Sequence, residues 1–196
     1  MKYYLLREDT NINNRWYLGS IKNCNNWFFT DPPVEYMEPS TYEIEMQSDG
    51  VALDFSLAGY ASVPIISHKA KKSLIGISDF DEPFRHVVLE PAKVAGHQDE
   101  FYVMIVETQI DCVDETRSIF EKYKSDDSVR PDRAGEYRVF LNLVIDPAKV
   151  NGENIFRIKK HLGALIISEK VKLRMEQAGV TGAIFESVDG ENTVVC

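Results

Sequence analysis

Apolar and polar residues alternate through TYEIEMQ, Thr41 to Gln47, with Tyr42, Ile44 and Met46 on one side and Glu43, Glu45 and Gln47 on the other. A period of two predicts a half-buried strand. EYRVFLNLVID, Glu136 to Asp146, alternates again and sets Tyr137, Val139, Leu141 and Leu143 against Arg138, Phe140, Asn142 and Val144. FYVMIVET, Phe101 to Thr108, is apolar almost throughout, the pattern of a strand covered on both faces. Met1 to Glu8, His86 to Glu90 and Gly182 to Val188 read as further strands, and Val51 to Ala61 as strand or loop. Between the first strand and Thr41 the pattern breaks. Asn11, Asn13, Asn14, Asn23, Asn25 and Asn26 surround Trp16, Tyr17, Trp27, Phe28 and Phe29, which predicts a loop with short strand pieces. TDPPVEYMEPS, Thr30 to Ser40, carries three prolines and predicts an extended connector.

Helical spacing is confined to short segments. Ser67 is placed to cap a helix from His68 to about Ile75, closed near Gly76. Ser168 is placed to cap a second, with Glu169 in its first turn, Val171, Met175 and Ala178 as its apolar stripe, and Gly179 as a left-handed C-terminal residue. A third helix is predicted over Asp114 to Lys124, with Ile119, Phe120 and Tyr123 on its apolar side. Lys124 to Glu136 reads as a loop. The first two helices echo each other: IISHKAKK at Ile65 and IISEKVKL at Ile166 agree at five of eight positions with a constant offset, 167 − 66 = 101. Two readings stand, a duplication or a common local solution of apolar pair, serine cap and charged helix. EPAKVAG at Glu90 and DPAKVNG at Asp146 do not share that offset. Strands outnumber helices without regular alternation, which predicts an α+β fold: antiparallel or mixed sheets with a few short helices on one side. The chain, 1–196, is expected to be one domain, or two packed and related halves with the second starting near 97–136.

Composition changes this picture in one respect. Hydrophobic residues at 44 % suffice for a sizeable core, and 31 acidic against 22 basic residues give a net charge of −9. That balance disfavours nucleic acid and anionic membranes and favours a cationic partner protein. The apolar run Tyr3 to Leu6 is too short for a signal peptide or a membrane span. Cys24, Cys112 and Cys196 form no metal or redox spacing and fit free thiols in a reducing cytoplasm.

Recognisable catalytic chemistry is sparse. There is no phosphate-binding glycine loop and no nucleophile elbow, and His68, His86, His97 and His161 are not paired at metal-ligand spacing. His86 reads as a strand-end residue and His161 as part of a solvated basic turn. Cys112 lies among Asp111, Asp114 and Glu115, which hold a proton on a thiol rather than release it. The same carboxylates are the one candidate for a divalent-metal site, and so for a metal-dependent hydrolase; a surface acidic patch is the plainer reading. With Asp79, Asp81, Glu82, Asp126 and Asp127 they are the candidate partner-binding residues, carboxylates on loops that a cationic protein could recognise.

MKYYLL at the start, LVIDPAKVNGENIFRIKK at 143–160 and LIISEKVKLRMEQAGVTGAIFESV at 165–188 together resemble the type 11 immunity protein family of bacterial polymorphic toxin systems, formerly catalogued as a domain of unknown function. The most specific part is the closing pattern: a serine-capped helix, then Ala178-Gly179, Thr181-Gly182 and Phe185. The resemblance runs along nearly the whole chain and is loosest from Thr10 to Ser62. It implies a cytoplasmic protein that binds and neutralises a cognate toxin by stoichiometric contact, without catalysis or cofactor. It carries over no catalytic residue. A homodimer, and a structural protein without a toxin, remain open at this stage.

Overall fold

The computed structural model describes residues 1–31, 38–60, 62–80 and 86–190. Among these residues, seven strands form in the first part of the chain: β1 (Tyr3–Glu8), β2 (Tyr17–Ile21), β3 (Tyr42–Ser48), β4 (Phe55–Ala58), β5 (Val63–Ser67), β6 (Val87–Val94) and β7 (Phe101–Val106). They are followed by β8 (Gln109–Ile110), β9 (Ile119–Lys122), β10 (Tyr137–Asn142), β11 (Ile155–Ile158), β12 (His161–Ser168) and β13 (Ala183–Ser187). The helices are α1 (His68–Ser73) and α2 (Glu169–Gln177). Strands make up 42 % of the chain and helices 16 %, so the fold is mostly β and the expected α+β class is corrected. The difference arises partly at 114–124. Asp114 Oδ1 accepts from the backbone N–H groups of Thr116 and Arg117, which makes a tight turn where a helix was expected. Ile119–Lys122 then leaves that turn extended, pairing antiparallel with β10.

β2-β3-β6-β7-β5-β4 form a six-stranded sheet, antiparallel except for the parallel β3–β6 pair. The sheet curls until its two edges meet, the Gly59 N–H donating to the Gly19 carbonyl at 2.9 Å, and is nearly a closed barrel. Its interior holds Trp16, Ile21, Ile44, Val63, Ile65 and Val103, each at most 1 % exposed. Period-two alternation explains the filling, because Ile44 points inward while Glu43 and Glu45 remain outside.

β13-β1-β12-β11-β8 form a second sheet, antiparallel except for β8–β11. One face packs Leu6, Ile155, Leu165 and Ile167 against Phe55 and Ile66 of the barrel wall, with α1 and α2 closing the same core through Ala70, Leu74, Val171 and Met175. The other face, carrying Tyr3, Phe156 and Ile166, is covered by the β9–β10 hairpin and the segment around Cys112. In this hairpin the predicted alternation fails. Register shifts after Tyr137 and after Phe140 keep Tyr137 buried and turn Phe140 toward Phe120, leaving Val139 and Leu141 40 % and 78 % exposed.

Both serine caps form as the sequence predicts. Ser67 Oγ accepts from the Ala70 N–H at 3.2 Å, and Ser168 Oγ from the Val171 N–H at 3.4 Å. The surroundings match as well. The backbone N–H of Ser67 donates to the Asp54 carbonyl and that of Ser168 to the Asn154 carbonyl; the next N–H groups, of His68 and Glu169, donate to Glu100 and Lys2. Beside β5 lies β7, with Ile66 opposite Tyr102; beside β12 lies β1, with Ile167 opposite Tyr4. In each place a helix lysine sits over that tyrosine ring, Lys71 Nζ at 3.7 Å from the Tyr102 centroid and Lys172 Nζ at 5.2 Å from that of Tyr4.

Candidate functional site

Among the described residues, the carboxylates singled out from the sequence are not gathered into one site. Asp79 is 3 % exposed; its carboxylate accepts from the N–H groups of Asn154 and Ile155, from the Asn154 side chain and from Ser78 Oγ. A group so enclosed ties the turn after α1 to the start of β11 and is not presented to a partner. Asp81 and Glu82 lie outside the described residues. Asp111 is exposed, 3.6 Å from Lys160 Nζ. Asp114 is held by Thr116 and Arg117, hydrogen bonds that set its carboxyl well below the usual carboxylate range. Glu115 accepts from Lys122 Nζ at 2.7 Å and from the Tyr137 hydroxyl at 2.6 Å, which lowers its pKa in turn. Asp126 is exposed, whereas Asp127 caps the following turn by accepting from the N–H groups of Arg130 and Val129, and these bonds lower its pKa. Among the described residues no three His, Cys, Asp or Glu side chains are grouped to hold a metal ion.

Cys112 is fully buried, and burial first, with Asp111 and Asp146 adding to it, pushes its thiol up to about 12. At neutral pH the sulfur keeps its proton and is a poor nucleophile. Burial also lowers His161, whose Nδ1 lies 3.0 Å from the Tyr137 carbonyl oxygen. The basic turn expected to be solvated therefore tucks its imidazole under the β9–β10 hairpin, edge-on to Phe140.

Two surface features stand out against this neutralised background, and the acidic-loop reading does not point to either. One is a groove of about 510 Å³ between the hairpin and the second sheet, bounded by β10 on one side and by Leu5, Arg7, Gly163 and Glu186 on the other. Arg7 and Glu186 pair across its floor at 3.1 Å, so it carries little net charge. The other is an aromatic ledge. Trp27 and Phe28 are 57 % and 56 % exposed on a single 3-10 turn, Asn26–Phe29, and Trp27 stacks on Tyr60, which is 72 % exposed, with ring centroids 5.6 Å apart and planes 10° from parallel.

The ledge is rigid for local reasons. Asn25 Oδ1 caps the turn by accepting from the Trp27 N–H. Asn26 is buried and fully engaged: Oδ1 accepts from the Ile21 N–H at 2.7 Å, and Nδ2 donates to the Ile21 and Cys24 carbonyls. Phe29 anchors the other end in the barrel, edge-on to Tyr42. Gly59, at φ +53°, comes so close to Asn26 that a Cβ would lie 2.9 Å from the Asn26 Cβ; this approach sets Tyr60 beside Trp27. Tyr60 itself sits at φ +61°, an outlier for a bulky residue. Sequence patterning missed the ledge because aromatic residues in an Asn-rich stretch carry no periodic sign of facing in or out. The available signal was Asn25 immediately before an unbroken NWFF, a capped turn too short to bury all three rings.

Among the described residues no helix is long and apolar enough to cross a membrane. No curated protein matches the chain. Residues 3–190 match the family described as Immunity protein family (Imm11), over nearly the full length, including the Thr10 to Ser62 region where the sequence resemblance is loosest. The chain belongs to this immunity protein family.

Proposed function

We propose that this protein neutralises a cognate toxin by forming a stoichiometric complex with it, without chemistry of its own. The observation that carries the reading is the family match across residues 3–190. Three features support the mechanism. The net charge of −9 suits a toxin that is cationic where it meets its own substrate, and complementary charge speeds encounter and narrows partner choice. The titratable groups that invited a catalytic reading are already engaged: Asp114 and Glu115 in surface ion pairs with Arg117 and Lys122, and Cys112 by burial. The surface instead offers rigid, exposed aromatic rings, the side chains that dominate protein–protein affinity. On this reading the complex forms in the cytoplasm of the cell that makes both proteins, the toxin being one of a polymorphic set.

The test is co-expression with the product of the neighbouring gene. Growth arrest caused by that product should be relieved by this chain, and the two purified proteins should form a complex of fixed stoichiometry by calorimetry. Calorimetric binding of a divalent cation that is lost in Asp111→Asn with Asp114→Asn and Glu115→Gln, together with turnover by the isolated chain, would instead establish a hydrolase.

A further inference from the structure

We infer that the Trp27–Tyr60 ledge and the groove beside it are the docking site for a basic segment of the partner protein, a segment that places an arginine or lysine side chain against these rings. The inference rests on the immunity reading and adds to it a surface and a ligand chemistry.

Tyr60 forms one end of a groove of about 570 Å³ on the outside of the barrel, with Tyr17, Gly19, Glu45 and Gln47 along its length. Gly19 leaves space where any other residue would crowd Glu45, since a Cβ there would stand 3.1 Å from the Glu45 Cβ. The charge of this groove is one-sided. Its only lining cation among the described residues is Arg15, which is 3 % exposed and spent on Glu8 and on the carbonyls of Asp9 and Trp16. Glu45 is the exposed charge that remains in the lining; Glu43, on the same side of β3 but outside the groove, is already answered by Lys22 at 3.6 Å. A carboxylate beside aromatic faces matches a guanidinium or ammonium group, which is attracted to the ring face and to the carboxylate together. A neutral or acidic segment would gain neither. The overall charge of −9 draws the same class of partner from a distance.

The backbone at Tyr60 supplies a second, independent argument. A non-glycine residue at φ +61° is strained, and glycine would occupy the position without that strain. Tyr60 is also 72 % exposed, so burial inside the fold does not repay the strain. Strain held at an exposed aromatic is the pattern of a binding residue.

The test measures affinity for the neighbouring gene's product, in a catalytically inactivated form, by calorimetry, alongside thermal melting and sedimentation. Trp27→Ala and Tyr60→Gly are each expected to weaken binding at least about 30-fold. Tyr60→Gly should melt near the wild-type temperature, because relief of strain offsets the added chain entropy. Glu45→Lys is expected to slow association, and raised salt should shrink that difference. Leu141→Ser, on the exposed face of β10, should bind as wild type. If wild type binds and rescues but Trp27→Ala and Tyr60→Gly bind within about 3-fold of it, the docking site is wrong and the immunity reading stands. If wild type neither binds nor rescues, the immunity reading fails and the docking site fails with it. If the chain is a dimer that Trp27→Ala converts to a monomer, the ledge serves self-association and the inference is overturned.

Discussion

Lys69 Nζ donates to the Gly179 carbonyl at 2.9 Å, so a cation carried by α1 closes the C-terminal turn of α2. The reverse contact is also present, Lys170 Nζ of α2 reaching the Gly76 carbonyl after α1 at 3.5 Å. Gly76 and Gly179 both take the left-handed conformation, at φ +76° and +64°, that exposes these carbonyls. Each helix thus completes the other, which explains how two short helices hold their places beside two sheets.

Asp54 sits at the centre of that arrangement. Burial would raise its pKa, but hydrogen bonds from Lys69, from Thr181 through both N–H and hydroxyl, and from Ser67 outweigh burial and hold it below the usual carboxylate value of 3.8. A carboxyl lowered in the folded state adds stability that is fully present above pH 3.8 and is lost as pH falls through its lower folded value. Asp54→Ala should cost about 2–3 kcal/mol at pH 7, and less as pH drops below about 4. Urea melts at a series of pH values measure both.

Arg157 is 1 % exposed and has no carboxylate partner among the described residues. Its Nη2 donates to the carbonyls of Phe29 and Ser62 and its Nη1 to that of Leu162, so one guanidinium joins the second sheet to the barrel. Burial lowers its pKa to about 10, still charged at neutral pH. Arg157→Ala should destabilise by about 3–5 kcal/mol, since three carbonyls lose their donor and a cavity opens. Arg157→Lys should recover little of that, because an ammonium cannot span the fork. Denaturant midpoints of the two variants check this ordering.

The buried network at Asp79 separates structure from binding. Ser168 Oγ donates to Asn154 Oδ1 and the Asn154 side chain donates to Asp79, in a chain of groups at most 5 % exposed. Asp79→Ala should lower stability by about 2–4 kcal/mol while leaving partner affinity of the folded fraction unchanged. Thermal melts read against calorimetric titrations at low temperature distinguish the two effects. A lost affinity in a stable variant would return Asp79 to the binding surface.

Cys24 is exposed and Cys112 is buried, and both thiols are free. Iodoacetamide should alkylate Cys24 in the native protein within minutes and Cys112 only at the rate at which the core opens. Peptide mass mapping over time, with and without denaturant, gives both rates.

Much of this fold was legible in the sequence where a physical pattern was strong and local. Strict alternation marked β3, a continuous apolar run marked β7, and Ser67 and Ser168 marked two helix starts to the residue. The IIS echo marked two places built alike down to the lysine over a tyrosine. The failures share a cause, in that tertiary neighbours overrode a local signal. Two register shifts in β10 reversed which residues face inward, a change that periodicity cannot carry. PAKV at 91–94 ends strand β6, whereas PAK at 147–149 forms a 3-10 turn capped by Asp146. Identical letters took different forms because one copy has β7 beside it and the other has an aspartate before its proline. For Asp111, Asp114 and Glu115, sequence shows the charge but not Lys160, Arg117 and Lys122, which answer it.

The most direct measurement is rescue and complex formation with the product of the adjacent gene. Cells arrested by that product should resume growth when this chain is co-expressed, and the purified pair should titrate to a fixed stoichiometry with nanomolar-range affinity, while the chain alone turns over no substrate. Absence of rescue and of binding with every adjacent product, or turnover by the isolated chain that a single substitution abolishes, would contradict a protein that acts by binding alone.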